Sequence, residues 1–395
     1  MKLKEICEYI SDRVAVIAVS EENYISTENM AQNKGGVTRA ASLPSSGAVI
    51  RYKNDDILIS NIRPYFKKIW QADKNGGCSA DVLCIRAKEH IDSTFLYYLL
   101  SQDAFFEYVM TGTKGCKMPR GDKSHIMDWD IDIPEDKSEQ TAIGQCLKVI
   151  DKKIEINKQI NDNLEQQAQA LYKSWFVDFE PFKNGKFVDS EQGLIPEGWR
   201  IGEFSEICDI VGGGTPSKSR TDFYCKNGIA WLTPKDLSVS NAKFTAKGAE
   251  DITLEGYNSS SAKLMPRGAV LFSSRAPIGY ITIAKNEIST NQGFKSAVPR
   301  IAGTGYLYYY LKSNISTIES KASGSTFKEA SGALMKSLKV IVPPTQILND
   351  FEKEIDALFR KQELLDDEII NLAIMRDTLL PKLMSGELTI NEIDC

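Results

Sequence analysis

The sequence predicts an α+β fold in which two globular α/β heads are separated by two long helices that pair as an antiparallel coiled coil. Two observations support this prediction. A stripe of mainly apolar residues, spaced alternately by four and three, occurs twice, and the second copy follows the first by 208 residues without a gap. Such a stripe is the seam of a coiled-coil helix. Short β-branched runs and short helical patterns precede each stripe in the same order, which predicts an internal pseudo-twofold repeat.

The two stripes predict the side chains through which the helices pair. They are Ile143, Leu147, Ile150, Ile154, Leu164 and Leu171 on the first helix, and Phe351, Ile355, Leu358, Leu365, Ile369, Leu372 and Leu379 on the second. Polar residues interrupt the seam at Asn157, Asn161, Gln362 and Arg376. A buried Asn in a seam fixes the register of the helices, whereas a solvated one marks a place where the seam opens. The sequence leaves both interpretations open, together with a role in docking.

The repeat also predicts the domain boundaries. We expect a first head at 1–137, a central helical region at 138–182, a turn-rich linker at 183–195, a second head at 196–345 and a C-terminal helical region at 346–395. A proline precedes each long helix, and Pro381 and Gly386 are typical helix stops for the second. Because a whole head lies between the helices, antiparallel pairing is the simplest arrangement.

Composition is that of an ordinary globular protein, with 42% hydrophobic and 26% charged residues. No apolar run is long enough to span a bilayer, and the first residues lack the apolar core of a signal peptide, so a cytoplasmic location is expected. The eight cysteines form no C-x-x-C pair and only two histidines exist. A metal site is therefore not expected.

Charge is distributed unevenly along the chain. The net charge is -5, which by itself argues against nucleic acid as a partner, but the segment 196–345 holds 18 basic and 12 acidic residues. Part of the acidity is carried by the second helical region. Charge indicates a partner only when it is considered locally, and the second head is locally basic.

Motifs for catalysis are missing from the sequence. It contains no G-x-x-x-x-G-K-[ST] loop, no G-x-S-x-G elbow and no H-E-x-x-H pair. The segment 61–66 (NIRPYF) resembles the catalytic loop of amino-methyltransferases but lacks its second proline in place. The glycine run at 212–214 is followed by Thr215 and Pro216, which favours a tight turn over a phosphate cradle. No catalytic residue is predicted, and the chain alone is expected not to be an enzyme.

Polar and basic residues in the loops of both heads are candidates for contact with DNA. Lys and Arg suit phosphates, which supply affinity, and Arg, Asn and Gln suit base edges in the major groove. The first head offers Arg63, Lys67, Lys68, Lys114, Lys117, Arg120 and Lys123. The second head offers Lys218, Arg220, Lys235, Arg275, Asn291, Gln292, Lys295, Ser325, Thr326 and Lys328. The alternative for each of them is an ordinary solvated surface residue.

Several stretches, taken together and in this order, resemble the specificity (S) subunit of type I restriction–modification systems. They are 170–182 (ALYKSWFVDFEPF), 213–217 (GGTPS), 231–237 (WLTPKDL), 273–280 (SSRAPIGY), 290–296 (TNQGFKS), 324–328 (GSTFK) and 379–388 (LLPKLMSGEL). The resemblance covers the whole chain. The first head departs from the second, because it lacks the GGTPS and TNQG elements.

The resemblance implies that each head is a target recognition domain and that the long helices are the conserved regions of the family. The partners it implies are double-stranded DNA, two methyltransferase (M) subunits and two restriction (R) subunits, with no membrane. S-adenosylmethionine, ATP and Mg are expected on those subunits, with none bound by this chain. The target would be bipartite, and the helices would set the spacing of its halves.

A rival interpretation is a coiled-coil scaffold whose two heads bind proteins rather than DNA. The negative net charge and the acidic second helical region favour it mildly. Salt dependence separates the two, because a phosphate binder loses affinity steeply as salt rises.

Overall fold

The computed structural model describes residues 1–115, 117–239, 242–324 and 328–390. Two compact units make up the chain: residues 1–158 together with 367–395, and residues 159–366. Each unit contains one head and a portion of both long helices. None of the helices in the described part of the chain combines the length and the apolar character that a membrane crossing requires.

The first head consists of two four-stranded sheets and four short helices. Its strands are β1 (Cys7–Tyr9), β2 (Arg13–Ala15), β3 (Tyr24–Ile25), β4 (Ala48–Tyr52), β5 (Ile57–Ser60), β6 (Ile69–Gln71), β7 (Gly76–Cys78) and β8 (Val82–Ala87). Its helices are α1 (Leu3–Ile6), α2 (Ser93–Ser101), α3 (Asp103–Thr111) and α4 (Lys123–Met127), and the long helix α5 (Lys137–Phe176) follows. The strand orders are β1-β8-β5-β6 and β2-β4-β7-β3.

After its portion of α5, the second unit continues with a hairpin of β9 (Phe187–Ser190) and β10 (Gly193–Pro196). Its remaining strands are β11 (Arg200–Glu203), β12 (Cys208–Gly212), β13 (Tyr224–Cys225), β14 (Ile229–Leu232), β15 (Phe244–Thr245), β16 (Asp251–Ile252), β17 (Val270–Ser274), β18 (Ile278–Ala284), β19 (Ser289–Thr290), β20 (Lys295–Pro299) and β21 (Lys339–Val342). Its helices are α6 (Phe204–Ile207), α7 (Pro234–Val239), α8 (Leu254–Asn258), α9 (Thr304–Ser313), α10 (Ile315–Lys321), α11 (Gly332–Lys336) and the long α12 (Thr345–Met384). The main sheets have the orders β12-β20-β17-β18-β15 and β13-β16-β14-β19.

The two heads share a topology, which confirms the predicted internal repeat. In each, the strand that follows the first short helix pairs antiparallel with the last strand of the main sheet, as β1 does with β8 and β12 with β20. Each second sheet contains one parallel pair, β3 with β7 in the first head and β14 with β19 in the second. The shared sheets set the positions of the loops, and the residues within those loops differ.

Within the first unit, α5 and α12 run antiparallel. The Asp151 carboxylate on α5 lies 2.7 Å from the Arg376 guanidinium on α12, and the Lys153 ammonium on α5 lies 3.3 Å from Glu368 on α12. Moving forward along α5 therefore corresponds to moving backward along α12. The buried cluster of the first head includes Ile143 of α5. In this unit the helices are therefore part of the head's core as well as partners of each other.

Within the second unit the same two helices are again antiparallel. The side-chain amide of Asn161 on α5 donates to Asp366 on α12 at 2.6 Å, and the amide of Gln362 on α12 donates to Glu165 on α5 at 3.4 Å. Four residues forward along α5 thus correspond to four residues backward along α12. Tyr172 of α5 and Phe351 of α12 belong to the same buried cluster as Tyr306 of the second head. The predicted antiparallel coiled coil is confirmed in both units.

The observed core is wider than the predicted seam. Ile143, Leu147, Ile150, Ile154, Phe351, Ile355 and Leu365 are buried, whereas Leu164, Leu171, Leu358, Ile369, Leu372 and Leu379 are partly exposed. Tyr172, Phe176, Phe359 and Leu380 lie outside the predicted set and are buried. The physical reason is that a head covers each helix pair from the side, so a third row of side chains is removed from water.

The polar seam residues have distinct surroundings. Asn157 is fully buried, and neither atom of its amide has a hydrogen-bond partner. Asn161 and Gln362 hydrogen-bond across the helix pair, since the Gln362 amide donates to the Asn161 carbonyl at 3.3 Å. Arg376 pairs with Asp151. Of the two interpretations for an Asn in the seam, burial favours register at Asn157 over a solvated opening.

Candidate nucleic-acid interface

In the second head, the loop that follows β12 rests on the turn that follows β19. The backbone N–H of Gly214 donates to the Thr290 carbonyl at 2.8 Å, and the indole N–H of Trp231 donates to the Gly214 carbonyl at 3.0 Å. A Cβ at Gly213 would lie 2.1 Å from the carbonyl oxygen of Asn291, so only glycine fits there. The glycine-rich run therefore brings two loops together by a close backbone contact. The tight turn predicted from its Thr-Pro continuation is wrong, because Gly212 ends β12 and residues 213–217 form no turn.

In the turn after β19, the side chain of Asn291 is hydrogen-bonded within the turn, whereas that of Gln292 is exposed. The side-chain oxygen of Asn291 accepts from the N–H of Gly293 at 2.8 Å, and the Asn291 backbone N–H donates to the Leu232 carbonyl at 2.9 Å. Gln292 is exposed, and its amide oxygen accepts from the Thr215 hydroxyl. Asn291 thus shapes the turn, while Gln292 presents its amide group at the surface.

A charged cluster lies beside this turn, at the end of β17. Arg275 and Lys295 both face the carboxylate of Glu329, at 3.6 Å and 3.3 Å respectively. The backbone N–H of Ala330 donates to the Ser274 carbonyl at 2.9 Å, which fixes the segment that carries Glu329 against β17. Arg275 and Lys295 were predicted from the sequence, but the carboxylate between them was not.

The other predicted residues of the second head are spread over its surface. Arg220 is paired with Asp222 at 2.6 Å and with Glu255 at 3.2 Å, and it lies over the ring of Phe223. Lys218, Lys235 and Lys328 are exposed. Ser325 and Thr326 lie outside the described residues. The exposed lysines are suited to phosphates, whereas the ion pairs of Arg220 hold it against the head.

In the first head, the loop after β5 meets the segment that precedes α4. The backbone N–H of Arg63, which has φ of 50°, donates to the Pro119 carbonyl at 2.8 Å. The backbone of Arg120 forms isolated antiparallel β-bridges with Ile62 and with Lys114. These contacts bring the backbones of Arg63, Lys114 and Arg120, three predicted residues, close together, while the Nε atom of Arg63 is buried.

Two of these basic residues are paired with acids that the sequence analysis did not select. Lys114 lies 2.6 Å from Asp122, and Arg120 lies 3.0 Å from Asp81. Asp122 also accepts from the backbone N–H groups of Ser124 and His125 at the start of α4. The Lys114 ammonium and these N–H groups lower the pKa of Asp122 to about 2. The acid therefore remains ionised at any physiological pH.

The remaining predicted residues of the first head have local roles as well. Lys67 pairs with Asp103 at 2.8 Å, and the Lys68 ammonium donates to the Thr27 carbonyl at 2.6 Å. Lys117 and Lys123 are exposed. Lys67 and Lys68 fasten the loop after β5 to its neighbours, which makes them weaker candidates for DNA than Lys117.

The first head has a counterpart of the turn after β19, although it lacks the TNQG sequence. After β7, the N–H of Asp81 is held by the Ser79 hydroxyl at 3.3 Å, just as Asn291 holds Gly293. The N–H of Val82 donates to the Ser79 carbonyl at 3.0 Å, closing the same kind of turn. The signal in the sequence was weak, since any small polar residue can form such a turn after a strand.

Both heads thus present loops that combine exposed cations and paired carboxylates on a fixed sheet frame, and the second head adds the exposed amide of Gln292. Cations of this kind bind phosphates without regard to sequence, and amide and guanidinium groups distinguish base edges. The geometry is that of a surface that binds a polyanion and can also discriminate among bases.

Comparison with known proteins gives a consistent result. The family model described as type I restriction modification DNA specificity domain matches residues 1–166 and again residues 196–371. The specificity subunit of the type I restriction enzyme HindI from Haemophilus influenzae is 26% identical, over 98% of both chains. The MjaIX specificity subunit from Methanocaldococcus jannaschii is 32% identical over 47% of this chain and 45% of that one. The crystal structure of a type I restriction–modification S subunit from M. genitalium has a similar fold, with a TM-score of 0.65 and 17% identity over 97% of this chain and 95% of that one.

Proposed function

The chain belongs to the family of type I restriction–modification DNA specificity domains, and we propose that each of its heads reads one half of a bipartite DNA target. It is the sequence-specific, non-catalytic subunit of such a system. One observation carries the proposal: the two matches to the family model fall on two heads that share a sheet frame and differ in their loop side chains. A constant frame with variable loops separates positioning on DNA from the choice of sequence.

The two long helices are proposed to dock the methyltransferase and restriction subunits. In the first unit, α5 exposes Val149 and α12 exposes Ile370, Ile374 and Met375, whose exposed fractions are 67%, 56%, 59% and 44%. Exposed apolar side chains grouped on helices are typical of surfaces that a partner covers. Two methyltransferase subunits would supply S-adenosylmethionine chemistry, and two restriction subunits would supply ATP- and Mg-dependent cleavage.

The proposal is tested by mapping the methylated motif. The chain is co-expressed with its methyltransferase subunit in a host without adenine methylation, and N6-methyladenine is located across the genome by sequencing. We expect one motif with two specific halves around a nonspecific spacer. Exchange of residues 1–137 for the head of another specificity subunit changes only one half, and exchange of 196–345 changes only the other. A single undivided motif, or a change in both halves after one exchange, contradicts the proposal.

Salt dependence separates this function from a protein-binding scaffold. Affinity for duplex DNA, measured between about 50 and 200 mM salt, is expected to fall by orders of magnitude because counterions are released at each phosphate contact. Binding that is absent, or indifferent to salt, would favour the scaffold.

A further inference from the structure

The first head holds one exposed residue, Arg120, in a small hydrogen-bonded frame. The backbone N–H of Asn61 donates to the Asp81 carbonyl at 2.8 Å, and the N–H of Gly121 donates to the Asn61 carbonyl at 3.3 Å. Arg120 precedes Asp122, the residue that caps α4, by two positions. The backbone of Arg120 is therefore fixed from both sides, while 57% of its side chain remains exposed.

The second head repeats this frame with a different residue. The N–H of Ser274 donates to the Gly293 carbonyl at 2.7 Å, and the N–H of Ala330 donates to the Ser274 carbonyl at 2.9 Å. Glu329 stands at the position of Arg120, two residues before Ser331, which caps α11. The backbone hydrogen bonds are equivalent, and the side chain that the frame presents has the opposite charge.

Each of these side chains is held by residues of opposite charge. Arg120 lies 3.0 Å from Asp81. Glu329 lies 3.3 Å from Lys295 and 3.6 Å from Arg275, and 36% of its side chain is exposed. The ion pairs are accessible to water, so they contribute little to stability and can open when another partner is offered.

An acidic side chain on a DNA-binding surface requires an explanation. A carboxylate repels phosphates, so Glu329 does not add to the affinity of this surface for the DNA backbone. A carboxylate can, however, accept from the N4 amino group of cytosine, while an Arg side chain donates to O6 and N7 of guanine. When DNA binds, the cations released from the ion pair can turn to phosphates, leaving the carboxylate available to a base.

We propose that the position occupied by Arg120 and Glu329 is a base-reading position of each head, Arg120 selecting guanine and Glu329 selecting cytosine. The inference rests on the proposed DNA-recognition function. It adds an acidic residue, Glu329, to the specificity determinants, and it assigns the two heads one common reading position with different residues.

The competing explanation is that both residues only fasten loops through their ion pairs. That role predicts that removal of the charge changes stability or overall affinity and leaves the base preference unchanged. The two explanations therefore differ in a readout that a structural role does not move, namely the motif at one base pair.

The test uses the complex of the chain with its methyltransferase subunit and the methylated motif as readout. The variants are Arg120→Gln and Glu329→Gln, and the matched controls are Lys117→Gln and Lys328→Gln, which remove an exposed charge close in sequence to each. We expect Arg120→Gln to relax or change one base position in one half of the motif, and Glu329→Gln to do so in the other half. The expected loss of discrimination at that position is about 5- to 150-fold for Arg120→Gln, the range of one bidentate base contact, and lies at the lower end of that range for Glu329→Gln, which loses a single hydrogen bond.

The controls are expected to weaken methylation at all sites alike and to leave the motif unchanged. If Arg120→Gln abolishes methylation altogether, the binding of that variant complex to duplexes that differ at single base pairs decides, because loss of a loop or phosphate contact lowers affinity for all of them alike. A reduced preference for guanine at one base pair supports the proposal, whereas the full preference of the unmodified complex overturns it.

The result that overturns the inference is a motif that stays unchanged in both glutamine variants, whatever happens to overall activity. Failure of the proposed function gives a different result, since the unmodified complex would then show no bipartite motif at all.

Discussion

Glu165 is the charge centre of the contact between the second head and the helices. Its carboxylate accepts from Lys243 at 2.6 Å, from Lys312 at 2.7 Å and from the Tyr309 hydroxyl at 2.9 Å. Burial alone would raise the pKa of Glu165, but the two ammonium groups outweigh it and lower the pKa to about 2. Burial lowers the pKa of Lys243 to about 8, against the attraction of Glu165. Each of the two buried charges, the Glu165 carboxylate and the Lys243 ammonium, is therefore stabilised by the other.

We therefore predict that Glu165→Gln destabilises the protein by about 2–4 kcal/mol, because it leaves the Lys243 ammonium, only 11% exposed, without its counter-charge. The free energy of unfolding in urea measures the effect. Asp162→Asn, at an exposed position of the same helix, is the control and should cost under about 0.5 kcal/mol. The double variant Glu165→Leu/Lys243→Met should lose less than Glu165→Gln alone. Equal losses in Glu165→Gln and the control would contradict this account.

Glu352 gives the second head a stability that depends on pH. Burial raises its pKa from 4.5 to about 7, although it accepts from the N–H of Gly305. A carboxyl whose folded pKa is raised binds more protons in the folded state, so its contribution is fully present below about pH 4.5 and is lost as pH rises through 7. We expect the free energy of unfolding of the wild type, minus that of Glu352→Gln, to fall across this interval. The fall should be at most about 3 kcal/mol. A difference that is constant from pH 4 to pH 8 would rule this out.

At the scale of elements, the equivalent helices α2 and α9 receive the acid at their N-termini from different sources. In the first head, the Asp92 side chain accepts from the N–H of Phe95 at the start of α2, and the residue of the long helix α5 that lies beside this helix start is Gly144. In the second head, the residue before α9 is Gly303, and Glu352 of the long helix α12 accepts from the N–H of Gly305 at the start of α9. Each helix start thus receives one carboxylate, supplied by the head in one case and by the long helix in the other. One acid at each N-terminus satisfies free N–H groups and the helix dipole.

This exchange predicts a compensating pair of substitutions. Gly303→Asp should destabilise the protein by about 1–2 kcal/mol, because its Cβ displaces the Glu352 carboxyl group from the start of α9 and a second carboxylate beside Glu352 adds repulsion. Glu352→Gly removes the only acid and should cost about 1–2 kcal/mol. Together they recreate the arrangement of Asp92 and Gly144, so the double variant should recover at least half of the summed loss. Thermal unfolding checks this, and additive losses would contradict it.

At the scale of the whole molecule, both long helices continue from one compact unit into the other, α5 as Lys137–Phe176 and α12 as Thr345–Met384. The proposed role of the helices in setting the spacing of the half-sites is therefore testable by length. Removal of residues 158–164 together with 363–369 takes one heptad from each helix and keeps the register of the seam. Seven residues correspond to about 10 Å, or about three base pairs.

We expect this paired deletion to shorten the spacer of the methylated motif or to abolish methylation. Deletion of 158–164 alone should abolish it, because the helices then lose their register. An unchanged spacer with full activity in the paired deletion would show that the helices do not set the spacing.

The sequence predicted the larger features because they are periodic. A four-three stripe can be recognised without a structure, and its repetition at a constant interval predicts two helices and two heads. The loop residues are harder, because a polar side chain in a loop has the same sequence signature whether it is exposed, as Gln292 is, or bound within a turn, as Asn291 is. The sequence did not predict Glu329 and Asp81, because a carboxylate repels phosphates and an acid in a loop carries no signal for DNA binding.

By itself, the sequence determined the duplicated architecture, the antiparallel helix pair and the membership of a family of DNA specificity subunits. Periodicity and several ordered motifs are sufficient for these, since each can be recognised from the order and spacing of residues along the chain. Only the tertiary structure decided that Glu165 acts with Lys243 and that Glu352 acts at Gly303, because packing and hydrogen bonding bring these residues together from distant parts of the chain. Only the tertiary structure, likewise, showed that Arg120 and Glu329 occupy equivalent positions in the two separate heads.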